Sequence, residues 1–332
     1  MTIAPARIAV VGAGAIGGYL GGMLARAGHD VTLIARGAHR DAIRAHGLRI
    51  DSKGGSFTVH PACTDDPAEA GPQDYVVLSL KAPAVPAMAE RMLPLFGPET
   101  ALLTAMNGVP YWYFHKQGGP LDGTQLESVD PGARQWGLIG PQRAIGSVVW
   151  LAGAVAAPGV IHHTNGNGLP LGEPDGSRSA RVLRLSEILI AAGIAAPVHD
   201  NIRQEIWTKL WGNLSYNPVS VLTHGTLEGL SRDPDARLVI GAMMEESRRV
   251  GQALGIDFPL TIEQRMAAAE KVGPHKTSML QDLEAERPME IGALIGVVAE
   301  LARKLQIATP TIDTVLALLK VRARVAGTYG EN

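Results

Sequence analysis

Lys209, Asn213 and Asn217 recur every four residues in the stretch NIRQEIWTKLWGNLSYNPVSVLT, residues 201–223. The stretch reads as the opening of a long helix. At 3.6 residues per turn, that spacing stacks one ammonium and two amides along a single stripe. The stripe would be roughly 12 Å long at 1.5 Å per residue, about the size of a small polar substrate. An ammonium aimed at a carbonyl oxygen can stabilise the charge of a forming alkoxide and then protonate it, while the amides hold neighbouring oxygens. A Lys-Asn-Asn ridge is also what a solvated helix face looks like. The beginning of the chain weighs against that blander reading, because it carries a dinucleotide-binding fingerprint. A cofactor site followed by a polar helix with a proton donor points to a dehydrogenase.

Near the N-terminus, Arg7-Ile8-Ala9-Val10-Val11 forms a short apolar run, consistent with a buried parallel strand. It leads into Gly12-Ala13-Gly14-Ala15-Ile16-Gly17 and then a helical segment. Gly12 permits the tight bend, Gly14 the approach of a pyrophosphate, and Gly17 close helix–strand packing. The helix start offers unpaired N–H groups and partial positive charge to phosphates. A second strand, Val31 to Ala35, ends at Arg36. An acidic residue there would suit the ribose 2′-hydroxyl of NAD; arginine suits a 2′-phosphate, so NADPH is the expected cofactor, with Arg40 one turn on as a helper. The run Tyr75 to Leu80 ends in Lys81, and ALLTAMNGV ends in Asn107-Gly108. Ligands of open α/β sheets bind beyond the carboxyl ends of strands, which places Lys81 towards the cofactor ribose and phosphates and Asn107 towards the nicotinamide.

A chain of 332 residues suggests two domains. With 46% hydrophobic and 19% charged residues and a net charge of −2, nothing favours nucleic acid or an anionic membrane as partner. The single cysteine, Cys63, excludes an intrachain disulfide and reads as a small buried hydrophobe. No apolar run reaches the roughly 18 residues of a membrane span, and the apolar N-terminus lacks the basic start of a signal peptide. A cytoplasmic location is the default expectation, with no metal site: His162-His163 lies in a strand-like run without a nearby carboxylate or thiol.

Residues 111–141 begin with aromatics and continue rich in Gly, Pro and Asp, an unusual length for a loop. The aromatic cluster predicts ordered packing, over the cleft or against another subunit. After AAGIAAPVHDN the chain turns to long amphipathic helices, giving domains at 1–199 and 200–332. In the second, Ser278 is placed to cap a helix with Gln281 completing the capping box. Pro288 is expected in the first turn of another helix, with Glu290 near its start, where a carboxylate is favoured.

With these motifs in hand, the chain resembles the ketopantoate reductase (2-dehydropantoate 2-reductase) family. The matching motifs are VVGAGAIGG at 10–18, SLK at 79–81, NG at 107–108, WTKLWGNLSYNP at 207–218 and TSMLQDLEAERPMEI at 277–291. They span nearly the whole chain, and the last two discriminate this family from other dinucleotide-binding enzymes. The resemblance implies an α/β fold, an N-terminal Rossmann-type doubly wound sheet followed by an all-helical C-terminal domain, with the active site between them. It implies NADPH as hydride donor, a small 2-oxo acid as partner, and reduction to the 2-hydroxy acid as in pantothenate biosynthesis. By motif, Lys209 would be the catalytic proton donor. Asn213 and Asn217 would hold substrate oxygens, Ser278 the carboxylate or a hydroxyl, and Glu290 the substrate–cofactor junction. Asn107 would serve both ligands and Lys81 the cofactor. A homodimer is the candidate assembly.

The chain departs from the family pattern at several places. The family usually reads Glu-Ile-Asp and then Ile-Asn-Gly where this chain has Glu290-Ile291-Gly292 and Ile295-Gly296. His275 replaces a frequent Asn, and Met289 a Thr. Lost polar groups at 292 and 295 predict weaker reading of a substrate hydroxyl. A β-hydroxyacid or 6-phosphogluconate-type dehydrogenase is the same-class rival, but its Ser-Gly-Gly motif is missing after the nucleotide-binding core. A non-catalytic NADP(H)-binding sensor is the rival of a different class, opposed by the joint presence of Lys209, Asn213, Ser278 and Glu290.

Overall fold

The computed structural model describes residues 4–329. Contacts within the chain divide it into two units. The first runs to Met106 and adds Pro110–Gln125 and Ala133–Ile202; the second comprises Asn107–Val109, Leu126–Gly132 and the chain from Arg203 onward. Two short segments of the first half therefore pack with the helices of the second.

The strands of the first unit are β1 (Arg7–Val11), β2 (Asp30–Ile34), β3 (Leu48–Ser52), β4 (Gly55–Val59), β5 (Ala62–Thr64), β6 (Gln73–Leu78), β7 (Phe96–Thr104), β8 (Ala144–Ser147), β9 (Trp150–Ala157), β10 (Val160–Gly168) and β11 (Leu171–Gly172). Seven form one sheet in the order β11-β8-β7-β6-β1-β2-β5. All its pairings are parallel except the edge pair β11–β8. This is the doubly wound order, in which the chain starts in the middle and winds outward both ways. Ile8 to Val11, Tyr75 to Leu78 and Ala101 to Thr104 are almost wholly buried, as strands covered on both faces must be. Both β2 and β6 end at or before the last residue expected from sequence, so Lys81 follows β6 by three residues.

A second sheet, β4-β3-β10-β9, was not legible as such. Helix α1 (Ala15–Arg26) reaches both sheets through paired glycines. A β-carbon at Gly21 would stand 2.6 Å from Leu33 of the large sheet. At Gly18 and Gly22 it would stand 2.9 Å from Ile161 and Ile50 of the small one. His163, on β10, stacks its ring on Tyr19 of α1 at 4.2 Å, a packing role that needs no ligand.

Helix α2 (Gly37–His46) follows β2, and short helices α3 (Val85–Met88) and α4 (Arg134–Leu138) and the longer α5 (Ala180–Ala191) complete the first unit. The ordered packing expected of residues 111–141 is present within the chain. Tyr111, Trp112, Tyr113 and Phe114 are buried in the first unit, and Trp112 donates its indole N–H to Thr104 Oγ1 at 3.0 Å. Burial of such rings stabilises by about 3 kcal/mol each relative to exposure, which explains why so irregular a segment is ordered.

The second unit is helical: α6 (Ile202–Thr223, whose first residue packs with the first unit), α7 (Leu227–Arg232), α8 (Pro234–Ala253), α9 (Ile262–Glu270), α10 (Ser278–Glu284), α11 (Val297–Lys304) and α12 (Pro310–Val325). A π-helical turn, Gly292–Gly296, leads into α11. Two sequence expectations need correction here. The cap of α10 is Thr277, whose hydroxyl accepts from Leu280 N–H; Ser278 is the first helical residue, and Gln281 bonds the Lys276 carbonyl instead. Pro288 precedes the next helix, which starts at Ile291, so Glu290 rather than the proline stands at its threshold. Among the described residues, no helix is long and apolar enough to cross a membrane.

Candidate active site

In the first unit, β1 ends at Val11 and α1 begins at Ala15, leaving Gly12 to Gly14 as the turn. Gly12 has φ +98°, a backbone only glycine adopts freely, and a β-carbon there would meet Ser79 and Leu80. A β-carbon at Gly17 would overlap the Gly12 carbonyl. Gly14 differs: nothing lies within 4 Å of its missing β-carbon. Ala13 is buried and donates its N–H to the Ile34 carbonyl, while Ala15 and Ile16 stay half-buried at the start of α1. No side chain caps α1, and its first turn holds no acid. Open space over an uncapped helix start is what a pyrophosphate needs, so these residues fit a dinucleotide.

Arg36 is exposed beyond β2, and its side chain makes no hydrogen bond or ion pair among the described residues. Arg40, expected to assist, is committed elsewhere. Its guanidinium pairs with Asp41 at 2.7 Å and with Asp65 at 2.5 Å. Lys81 is half-buried ahead of a short helical turn that begins at Ala82. Sequence reasoning missed His39 on α2. Gly159 donates its N–H to His39 Nδ1 at 3.0 Å, so Nε2 carries the proton that bonds the Ala13 carbonyl at 2.8 Å. Burial lowers its pKa, the carbonyl opposing, which keeps the ring neutral and the turn tied down. Its partner is 120 residues away, and no spacing signal could have revealed that.

In the second unit, Lys209 donates from Nζ to Asn107 Oδ1 at 2.7 Å. The residue is half-buried, and desolvation of its ammonium lowers its pKa to about 8, while the negative charge of Glu290 acts in the opposite direction. Glu290 is itself buried. Lysine, amide and carboxylate, far apart in sequence, are thus one electrostatic group. Asn213 is half-buried one turn along α6, and Asn217 is 4% exposed with its Nδ2 lacking any hydrogen-bond partner among the described residues. A buried amide donor left unpaired is costly, and a ligand oxygen is the natural acceptor. Ser278 is exposed at the first turn of α10, so the structure does not bring its hydroxyl into the same hydrogen-bonded group. His275 is exposed just before that helix.

The π-helical turn positions this group. Val109 donates its N–H to the Ala293 carbonyl at 3.0 Å, and a side chain at Gly108 would overlap that carbonyl. Asn107 is therefore held against the turn that Glu290 introduces, and π-helical turns recur at functional sites for such irregular bonding. The segment Leu126–Gly132 lies on the same helix. Glu300 of α11 accepts from the backbone N–H groups of Glu127 at 3.1 Å and Ser128 at 2.9 Å, and from the Ser128 hydroxyl. A β-carbon at Gly292 would overlap the Ser128 carbonyl, and Ile295 is fully buried. Neither position opens onto empty space in the structure. Protein, not a vacated pocket, fills those directions.

Comparison with known proteins finds relatives along nearly the whole chain. Residues 8–176 match the family profile described as "Ketopantoate reductase PanE/ApbA", and residues 201–323 its C-terminal counterpart, "Ketopantoate reductase PanE/ApbA C terminal". A curated 2-dehydropantoate 2-reductase of Mesorhizobium japonicum is 51% identical over 97% of this chain and 99% of its own. The chain belongs to the ketopantoate reductase family. Family structures superpose closely. A Ralstonia solanacearum structure, provisionally described as a ketopantoate reductase, matches with TM-score 0.93 at 41% identity, covering 98% of this chain and 100% of its own. A D-mandelate dehydrogenase solved as a ternary complex with NADH shares the fold, with TM-score 0.79 at 22% identity over 96% of this chain and 99% of its own.

Proposed function

We propose that the chain is an NADPH-dependent reductase of ketopantoate, or a closely related branched 2-oxo acid, producing the 2-hydroxy acid. The observation that carries the reading is the Lys209–Asn107 hydrogen bond with Glu290 acting on the same ammonium, in a chain of this family. The nucleotide would be held by the turn from Gly12 to Gly17, with Arg36 on the 2′-phosphate and Lys81 nearby. When bound, the reduced nicotinamide supplies a hydride to the carbonyl carbon.

The protein's own residues do the rest. Hydride addition leaves negative charge on the carbonyl oxygen, and the Lys209 ammonium stabilises and then protonates it. One of its three N–H bonds is taken by Asn107, which fixes the direction of the others. With a pKa of about 8, the ammonium is a far readier donor near neutrality than an ordinary lysine. Glu290 keeps it from losing the proton too early. Asn213 and the unpaired amide of Asn217 would hold substrate oxygens, and Ser278 the carboxylate or a hydroxyl. Their benefit is orientation of the carbonyl for attack.

The test is NADPH oxidation followed by absorbance with ketopantoate and a panel of 2-oxo acids, with chiral analysis of the product. Reduction of ketopantoate among the best substrates is expected. NADPH binding with no turnover of any 2-oxo acid would overturn the reading.

A further inference from the structure

Helix α6 carries a glycine, Gly212, in its interior, where glycine costs roughly 1 kcal/mol relative to alanine. The guanidinium of Arg265, from α9, rests on it. A β-carbon at 212 would overlap Nη2 and stand 2.8 Å from Cζ and 3.3 Å from Nε. Gly212 follows Lys209 by three residues and precedes Tyr216 by four, so the guanidinium lies on the flank of the ridge that carries Lys209 and Asn213.

Arg265 is half-buried, and among the described residues its side chain makes no hydrogen bond and no ion pair. Arg232, Arg248, Arg287 and Arg303 of the same unit, by contrast, each face a carboxylate within 4 Å. A guanidinium has five N–H donors, and those of Arg265 have no acceptor among the described residues. Burial correspondingly lowers its pKa, opposed only by Tyr216. A half-buried, unpartnered guanidinium over a glycine that makes room for it leaves its donors available to an anion.

We propose that Arg265, seated on Gly212, is an anion subsite that receives a carboxylate of the 2-oxo acid. The proposal rests on the reductase reading and deepens it. The planar fork of a guanidinium matches a carboxylate with two parallel hydrogen bonds. The carboxylate next to the reacting carbonyl and a second, distal carboxylate present the same oxygens, as does a phosphate of the nucleotide.

Steady-state kinetics of the full-length protein with ketopantoate and with 2-oxoglutarate separate these sources, alongside calorimetric binding of pantoate and of NADPH. Arg265→Met is expected to raise KM about 10- to 100-fold, the scale of one charge-assisted hydrogen bond, with kcat changed far less and NADPH affinity unchanged. Gly212→Ala should do the same by displacing the guanidinium, although alanine is the better helix former, so misfolding is not its explanation. The double variant should be no worse than the more severe single one, because both remove one contact. Arg265→Lys should recover part of the loss. A rise for both acids assigns the carboxylate they share; a rise for 2-oxoglutarate alone assigns a distal one. Unchanged KM for both acids in Arg265→Met, or a loss confined to NADPH binding, overturns the proposal. If the unaltered protein binds pantoate but reduces no 2-oxo acid, the reductase reading fails, while weaker pantoate binding in Arg265→Met still upholds the subsite.

Discussion

Two glycine-dependent regions of this protein use the absence of a side chain in opposite ways. At Gly14 in the first unit, nothing occupies the space a β-carbon would take. At Gly108, Gly212 and Gly292 in the second, the protein itself fills it with the Ala293 carbonyl, the Arg265 guanidinium and the Ser128 carbonyl. The first region keeps room for a ligand; the second trades side chains for close internal contact that fixes Asn107 and the π-helical turn. A missing polar side chain in a relative's position is therefore not by itself a hole in a binding site.

That comparison makes the two regions separable by mutation. The largest expected effect is on chemistry alone: Lys209→Ala should lower kcat at least ~10²-fold, the lower range for a positioned acid–base group, while NADPH affinity stays near normal. Near-normal turnover would remove Lys209 from the mechanism. A matched pair of substitutions addresses the glycines directly. Gly292→Ala should cost about 1–3 kcal/mol of stability by overpacking, read as a lower urea midpoint. Gly14→Ala should leave the midpoint unchanged and weaken NADPH binding. If both glycines respond alike in either assay, the contrast between open and filled space is wrong.

A smaller effect is expected at Arg36. The protein should bind NADPH more tightly than NADH, and Arg36→Asp should narrow or reverse that preference, with stability unaffected because the residue is exposed and unpaired. Equal affinities in the unaltered protein would count against the assignment.

The smallest effect sharpens the electrostatics of the second unit. Reduction needs the Lys209 ammonium, so kcat should fall as pH rises through about 8, the value to which burial lowers it. Glu290 raises that pKa, so Glu290→Gln should move the alkaline limb to lower pH. A limb that stays in place or moves up would show that the carboxylate does not act on the ammonium.

Much of the first unit was readable because its signals are local. The run from Arg7 to Val11 and the glycines behind it specify a strand, a turn and a helix within twenty residues, and each is where the spacing puts it. The ridge of Lys209, Asn213 and Asn217 is equally local, since helical periodicity alone aligns it. Local reasoning misplaced what two neighbours could share equally well. It gave the α10 cap to Ser278 when adjacent Thr277 takes it, and a phosphate role to Arg40, whose aspartates lie one and twenty-five residues away. The aromatic run at 111–114 announced packing but not its partner.

Secondary-structure periods, the glycine-rich turn after β1 and the alignment of Lys209, Asn213 and Asn217 on one stripe are written in the sequence, because they follow from backbone geometry over a few residues. Tertiary structure alone decided that Asn107 meets Lys209 across 102 residues and that Glu127 and Ser128 fasten to Glu300 across more than 170. It also decided that Arg265 settles over Gly212. Such contacts depend on which faces are buried together, and burial is what lowers the pKa of Lys209 to about 8.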